Sequence, residues 1–241
     1  MNAHKRYFCY TVHMDVKHLI FDMDDTLYPP CGAMHNGINQ RIISGVAEFF
    51  GISIEEAAEK RKANIIFHST TLEWLRSEGL TDVEWWFRHM HPENEADELQ
   101  FIPELPPFLE SIQIPKIILT NSPMEHADRV LEKLKVRKYF DDVLDLRKTK
   151  MLGKPYPKAY EIALQTVGGT FDDTLFLDDL VKYTDGWEML GGTAVLVGNS
   201  NGTKINPNAK KLQEALSHVP PTSKGHTIRL PSIYELPSLL K

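Results

Sequence analysis

The sequence predicts an α/β fold: a doubly wound, mainly parallel sheet with helices on both faces and a helical segment inserted after the first strand. Three observations carry that expectation. Short apolar runs recur along the 241 residues, at 19–21, 117–119, 175–177 and 193–197. Runs of that length fit strands buried on both faces of a parallel sheet. Stretches between them place apolar residues at helical spacing. Three of the runs stop abruptly at polar groups, on the end of a strand where open α/β sheets collect functional side chains.

Strand one is expected over 17–22, and Tyr28-Pro29-Pro30 turns the chain out of it, because proline restricts itself and the residue before it. Residues 1–16 read as an extension of that strand or a tail. From 34 to 99 the pattern is helical, with Ile38, Ile42, Val46 and Phe49 in phase and Ser53-Ile54-Glu55-Glu56 as a capping box opening a second helix. Further helical pieces are expected at 71–77 and 82–89. Their aromatics Trp74, Trp85, Trp86 and Phe87 read as packing of a small helical unit before a ligand pocket. Pro103, Pro106 and Pro107 punctuate the return to the sheet. The organisation is therefore a core of 17–33 and 100–241, with a helical cap of 34–99.

After the run 117–119, Ser122 is placed to cap a helix, with Pro123 at its first position and Glu125 completing the box. Residues 140–146 and 193–197 are the third and fifth strand signals, and 175–177 the fourth. Helices are expected at 157–166 and 208–216, a loop at 199–208, an edge strand at 227–229 and a helical turn at 232–240.

Composition narrows the classes. A hydrophobic content of 42% is enough for a core. A net charge of −6, with no basic stripe, argues against nucleic-acid binding. Cys9 and Cys31 have no metal-ligand spacing and point to a reducing, cytoplasmic setting. Neither a membrane-length apolar run nor an apolar signal core is visible. The ten histidines are scattered, and most read as surface or packing residues.

Chemistry concentrates where the strands end. Asp22 and Asp24, two apart in extended chain, point the same way and repel, so a cation or a shared proton must offset them. Thr120 and Asn121 lie at a strand-to-helix junction, where free N–H groups and the helix dipole favour an anion. Lys154 stands between Gly153 and Pro155-Tyr156-Pro157, a fixed cation just before a helix. The fourth apolar run ends in Asp178-Asp179.

In this order, Asp22-Met23-Asp24-Asp25-Thr26, Thr120-Asn121-Ser122, Lys154-Pro155 and Asp178-Asp179 resemble the haloacid dehalogenase superfamily of phosphotransferases, from about residue 17 to the C-terminus. The segment 22–30, Thr71-Leu72-Glu73-Trp74-Leu75 and 117–139 are similar to its pyrimidine 5′-nucleotidase-like branch. Thr70-Thr71 and Asp178-Asp179-Leu180 depart from that branch's pattern. The resemblance implies Mg²⁺-dependent hydrolysis of a small phosphorylated metabolite. It implies Asp22 as nucleophile and Asp24 as acid/base, with Thr120, Asn121 and Lys154 on the phosphoryl oxygens. The metal would lie on Asp22, the Asp24 carbonyl and Asp178 or Asp179, with Asp179 favoured as direct ligand. True dehalogenases lack the second acid, so Asp24 favours phosphate chemistry. A nucleoside 5′-monophosphate, pyrimidine first, is expected to meet Tyr28, His35, His68, Thr70 and Trp74. The rival readings are a sugar-phosphate phosphatase or mutase, a phospho-ligand binding module without catalysis, and a phosphonate hydrolase using Lys60 or Lys62. No nucleic-acid or membrane partner is expected, and the chain is read as a monomer or homodimer.

Overall fold

The computed structural model describes residues 15–30, 32–198, 210–217 and 225–240. Cys9, Cys31, the expected 199–208 loop and most of the N-terminal stretch lie outside them. Six strands form one sheet: β1 (His18–Phe21), β2 (Lys116–Leu119), β3 (Val143–Leu144), β4 (Thr174–Asp178), β5 (Thr193–Val197) and β6 (His226–Leu230). Their order is β3-β2-β1-β4-β5-β6, and the described pairings are all parallel. The chain thus enters at the middle of the sheet, builds outward to β3, and returns to the other side of β1. A crevice opens at such a reversal, beyond the carboxyl ends of the strands.

Register determines what meets there. Phe21 lies opposite both Ile118 and Leu177, which sets Asp22 level with Asp178 and one step short of Thr120. Side chains alternate across the sheet. Leu19 and Phe21 face one layer with Ile118, Leu175 and Leu177, covered by α5 (Leu105–Ser111) and α6 (Met124–Lys133). Ile20 faces the other with Ile117, Leu119 and Phe176, covered by α7 (Pro157–Val167) and α8 (Val181–Met189). Gly168 ends α7 with φ 76°, the left-handed conformation that glycine adopts without steric cost.

Between β1 and α5 run α1 (Gly32–Phe50), α2 (Ile54–Ile65), α3 (Thr71–Ser77), α4 (Val83–Met90) and a 3-10 turn at Glu95–Glu98. These helices hold their own apolar cluster of Val46, Ala57, Leu72, Trp74, Leu75, Trp86 and Phe87, which takes Leu146 from the sheet side. The Ser53 capping box forms as expected: Glu56 N–H donates to Ser53 Oγ at 3.2 Å, and Ser53 N–H to Glu56 Oε2 at 2.9 Å.

Two local expectations fail, and one side chain bears on both. Strand three is only Val143–Leu144 rather than 140–146, and Ser122 does not cap α6. Asp145, 2% exposed, turns its carboxylate away from the ladder to accept from Met124 N–H at 3.1 Å and Lys148 N–H at 2.9 Å. It therefore takes the capping role at α6 and ends β3. Helix α9 (Lys210–Ser217), β6 and a closing 3-10 helix at Ile233–Leu239 complete the described chain.

Trp187, fully buried on α8, touches the rings of Tyr160, Phe171 and Phe176 with centroids 4.7 to 5.4 Å apart. Trp187→Ala should cost about 3–5 kcal/mol, the range for truncating a buried tryptophan. Urea unfolding measures it. A loss below about 1 kcal/mol would show that this layer closes over the cavity.

Candidate active site

Three neighbouring strand ends deliver Asp22, Thr120 and Asp178 to one edge of the sheet, and the turn before α7 brings the fourth group. Lys154, fully buried, places Nζ 2.5 Å from Asp22 Oδ1 and 2.6 Å from Asp178 Oδ2. Its backbone is clamped by Asn121, whose Nδ2 donates to Lys154 O at 2.9 Å and whose Oδ1 accepts from Lys154 N–H at 2.8 Å. The preceding residue must be glycine for this clamp, because a Cβ on Gly153 would lie 2.2 Å from Asn121 Oδ1. The Asn121 amide also donates to Tyr183 Oη at 3.0 Å. So the Asn121 side chain braces the lysine, while Thr120 Oγ1 accepts from Ser122 N–H at 3.0 Å.

Thr26 Oγ1 donates to Asp22 Oδ2 at 3.1 Å and lies 3.5 Å from Asp179 Oδ1. Asp178 is occupied twice, by Lys154 and by Leu180 N–H at 2.8 Å. Asp25 adopts φ 58° and pairs with His35 Nδ1 at 3.0 Å, as a turn residue would.

Asp22, Asp178 and Asp179 offer oxygens that all lie within 4.8 Å of one another. Burial, with the Asp178 and Asp22 charges next, pushes Asp179 up to about 9. Burial raises Asp22 to about 7 against the pull of Lys154. Burial alone would depress Lys154, but Asp178 and Asp22 hold it well above the ordinary lysine range. Three carboxylates therefore share one ammonium. An all-oxygen donor set with excess negative charge suits a hard divalent cation, so these residues fit the metal that the sequence implies.

Asp24 occupies a different environment. Its Oδ1 accepts from Tyr28 Oη at 2.5 Å and faces His126 Nε2 at 2.8 Å, and its Oδ2 accepts from Ser122 Oγ at 3.1 Å. Burial would raise it, but the positive charge and hydrogen bond of His126 hold it at about 2.

Asp24 opens onto a cavity of about 270 Å³, near the low end for ligand sites, whose lining does not include Asp22, Lys154, Asp178 or Asp179. Asp24, Asp25, Tyr28, His35, Thr70, Thr71, His91, Asn121 and Ser122 contribute its polar wall, and Met34, Ile38, Leu72, Trp86, Phe87 and Met90 much of its apolar wall. His68 and Trp74 do not line it. His68 Nδ1 pairs with Asn64 O, and Trp74 is fully buried with its indole N–H on Glu78. Lys60 and Lys62 do not line it either; the Lys60 ammonium lies over the Phe50 ring on the helical segment.

A family model for haloacid dehalogenase-like hydrolases matches residues 16–182, more than half of the chain. The chain belongs to the haloacid dehalogenase-like hydrolases. Solved structures agree on the fold. A HAD phosphatase from Thermococcus onnurineus superposes with a TM-score of 0.61 at 20% identity, over 93% of this chain and 98% of that one. The L-2-haloacid dehalogenase from Xanthobacter autotrophicus with chloropropionic acid covalently bound gives 0.56 at 16%, and a putative beta-phosphoglucomutase from Thermotoga maritima 0.54 at 19%, each over 93% of this chain and 98% of that one.

The haloacid dehalogenase-like core explains where Asp22, Lys154 and Asp178 meet. It leaves one feature that sequence reading missed. His126 is fully buried between Asp24 and Glu95. A signal existed: His126 sits four residues before Val130, on the apolar stripe of α6 with Ala127 and Leu131. A titratable group in that stripe needs a buried partner.

The crowded carboxylates of this hydrolase make stability depend on pH. Without a cation, Asp179 stays protonated in the folded chain up to about 9, whereas an unfolded aspartate loses its proton near 4. The folded state then binds more protons, so this contribution is full at low pH and is lost as pH rises from about 4 to 9. In chelator, wild type should lose stability relative to Asp179→Asn across that window, and Mg²⁺ should restore it. Parallel pH profiles of urea unfolding for the two proteins would exclude the carboxylate cluster as described.

Proposed function

We propose that this hydrolase is a Mg²⁺-dependent phosphomonoesterase acting through an aspartyl-phosphate, with a neutral, ring-bearing leaving group. The observation that carries the choice of phosphate is Asp24, a second carboxylate two residues from Asp22 that lines the cavity. Halide leaves a carbon without a proton, so a dehalogenase has no use for it; an alkoxide leaving phosphorus does. The sequence resemblance points the same way.

In this reading, Asp22 attacks phosphorus and is oriented by Thr26. The ester bond breaks as the Asp22–phosphorus bond forms, splitting one hard displacement into two easier steps. Asp24 gives a proton to the departing alcohol and takes one from the water that attacks the aspartyl-phosphate. It is ionised in the free chain, as the basic half of that cycle needs, and the incoming phosphate charge would raise its pKa for the acidic half. Lys154 neutralises charge between Asp22 and the phosphoryl group, the electrostatic role that dominates such transfers. Thr120 and the Asn121 backbone line the phosphoryl side, with the Asn121 side chain kept for Lys154. Bound Mg²⁺ would be held by Asp22, the Asp24 carbonyl and Asp179, and would supply the positive charge that a phosphate dianion and these carboxylates lack. Asp178, already engaged by Lys154 and Leu180 N–H, fits an outer role.

The helices 34–99 act as the cap, and the cytoplasm is the setting that fits two cysteines and the absence, among the described residues, of a helix long and apolar enough to cross a membrane. The cavity wall supports the substrate class. Trp86 and Phe87 contribute aromatic surface to the wall, against which a planar base can pack, with His35 and Thr70 for its polar edge. Neither lysine nor arginine lines it, so its wall offers no permanent cation to a second anionic group on the substrate. A nucleoside 5′-monophosphate, pyrimidine before purine, meets both conditions.

Asp22→Asn should reduce phosphate release by at least about 10³-fold with the fold retained, since an amide cannot attack phosphorus. Chelator should stop wild type and Mg²⁺ restore it; full activity in excess chelator, or in the variant, would sink the mechanism.

A panel of UMP, CMP, AMP, ribose 5-phosphate and a hexose phosphate tests the substrate. Catalytic efficiency should be highest for the pyrimidine nucleotides. A sugar phosphate preferred over both would overturn the nucleotide reading and leave the phosphatase reading standing.

A further inference from the structure

We infer that His126 is a positioning residue that aims Asp24 at the leaving group and couples it, through Glu95, to the helical segment above the site. This inference rests on the phosphomonoesterase reading. Asp24 lies on the loop after β1, His126 on α6 and Glu95 on the 3-10 turn that closes the inserted segment. The three side chains form one line: Asp24 Oδ1 to His126 Nε2 at 2.8 Å, and His126 Nδ1 to Glu95 Oε1 at 2.7 Å.

Hydrogen-bond chemistry constrains this line. Ionised carboxylates only accept, so an imidazole flanked by two of them must donate from both ring nitrogens. The ring cannot rotate without losing both bonds. Glu95 is itself held on both oxygens, by Arg129 Nη2 at 2.9 Å on Oε1 and by His91 Nδ1 at 2.9 Å on Oε2, with Arg41 Nη2 at 3.6 Å. The His91 ring also lies against that of His126, centroids 4.2 Å apart. Tyr28 shares Asp24 Oδ1 with His126. Oδ1 is thereby saturated, and Oδ2, touched only by Ser122 Oγ among the described residues, is the oxygen left to exchange a proton with the substrate.

A buried ion pair is by itself poor evidence of function, because such pairs also serve structure. The chain differs in that one end is the acid/base group and the other belongs to the segment that roofs the cavity. Docking that segment places Glu95, Glu95 sets the ring, and the ring sets Asp24.

Amide replacements separate positioning from packing. The nitrogen of glutamine reaches the Nε2 position and keeps a donor for Asp24; that of asparagine reaches the Nδ1 position and keeps a donor only for Glu95. In single-turnover measurements with Mg²⁺, His126→Asn should slow phosphoryl transfer from the best alkyl phosphate roughly 10²-fold, yet transfer from p-nitrophenyl phosphate less than about tenfold, since nitrophenolate needs no proton. His126→Gln should recover most of the alkyl rate. In metal-free protein, the NMR signal of the His126 Nε2 proton should shift in Asp24→Asn while the Nδ1 proton stays. Equal losses on both esters, asparagine and glutamine behaving alike, or an unmoved Nε2 proton would each overturn the inference. Wild type that releases phosphate from no ester would instead bring down the phosphomonoesterase reading, and this inference with it.

Discussion

The site depends on a surplus of buried negative charge at one point of the sheet. Parallel strands β1 and β4 lie side by side; β1 runs straight into Asp22 and β4 ends in Asp178, so register brings the two together. Asp179 adds a third carboxylate, which answers the crowding by keeping its proton up to about 9. In a low-dielectric interior such repulsion is strong, and the folded chain answers it with Lys154, bonded to two of the three. The precision of that answer comes from Asn121, which holds both the N–H and the carbonyl of the lysine, and from Gly153, which leaves room for the amide.

The same constraint separates two aspartates that stand only two residues apart. Burial, with the Asp178 charge beside it, pushes Asp22 up to about 7 against the pull of Lys154, whereas Asp24, equally buried, is met by a histidine and a tyrosine and held at about 2. Environment, not residue type, sets them in different protonation states, which is how two carboxylates come to serve different chemical tasks.

Contacts between the inserted helices and the sheet side are also polar and specific. Arg147 forks onto Glu84 of α4 through Nε and Nη2, and reaches Glu125 of α6 through Nη1 at 2.8 Å. Lys182 donates to Ser69 O at 2.6 Å, and the Tyr156 hydroxyl bonds Glu73. Burial lowers Lys182 to about 8. With the Glu95 cluster, these contacts pin the segment from three sides. Apolar contacts cross the same junction, with Met34 and Leu99 of the inserted segment in the core beneath the sheet.

Much of this was legible in the sequence. The apolar runs gave β1, β2, β4 and β5 because a strand buried on both faces has no polar position to hide it, and Ser53 with Glu56 marked α2 because capping is a local interaction. The ordered acids pointed to Asp22, Asp24, Asp178 and Asp179 for the same reason: each lies where an apolar run stops. What sequence could not decide were the pairings between distant residues. That Asp145 rather than Ser122 caps α6, that the Asn121 side chain serves Lys154, that Trp74 and His68 turn from the cavity, and that His126 joins Asp24 to Glu95 all depend on which elements pack together. Local sequence determines what a segment prefers; only the folded chain, by bringing residues 31 and 102 positions from His126 within hydrogen-bond reach of its ring, decides which of those preferences is satisfied and by whom.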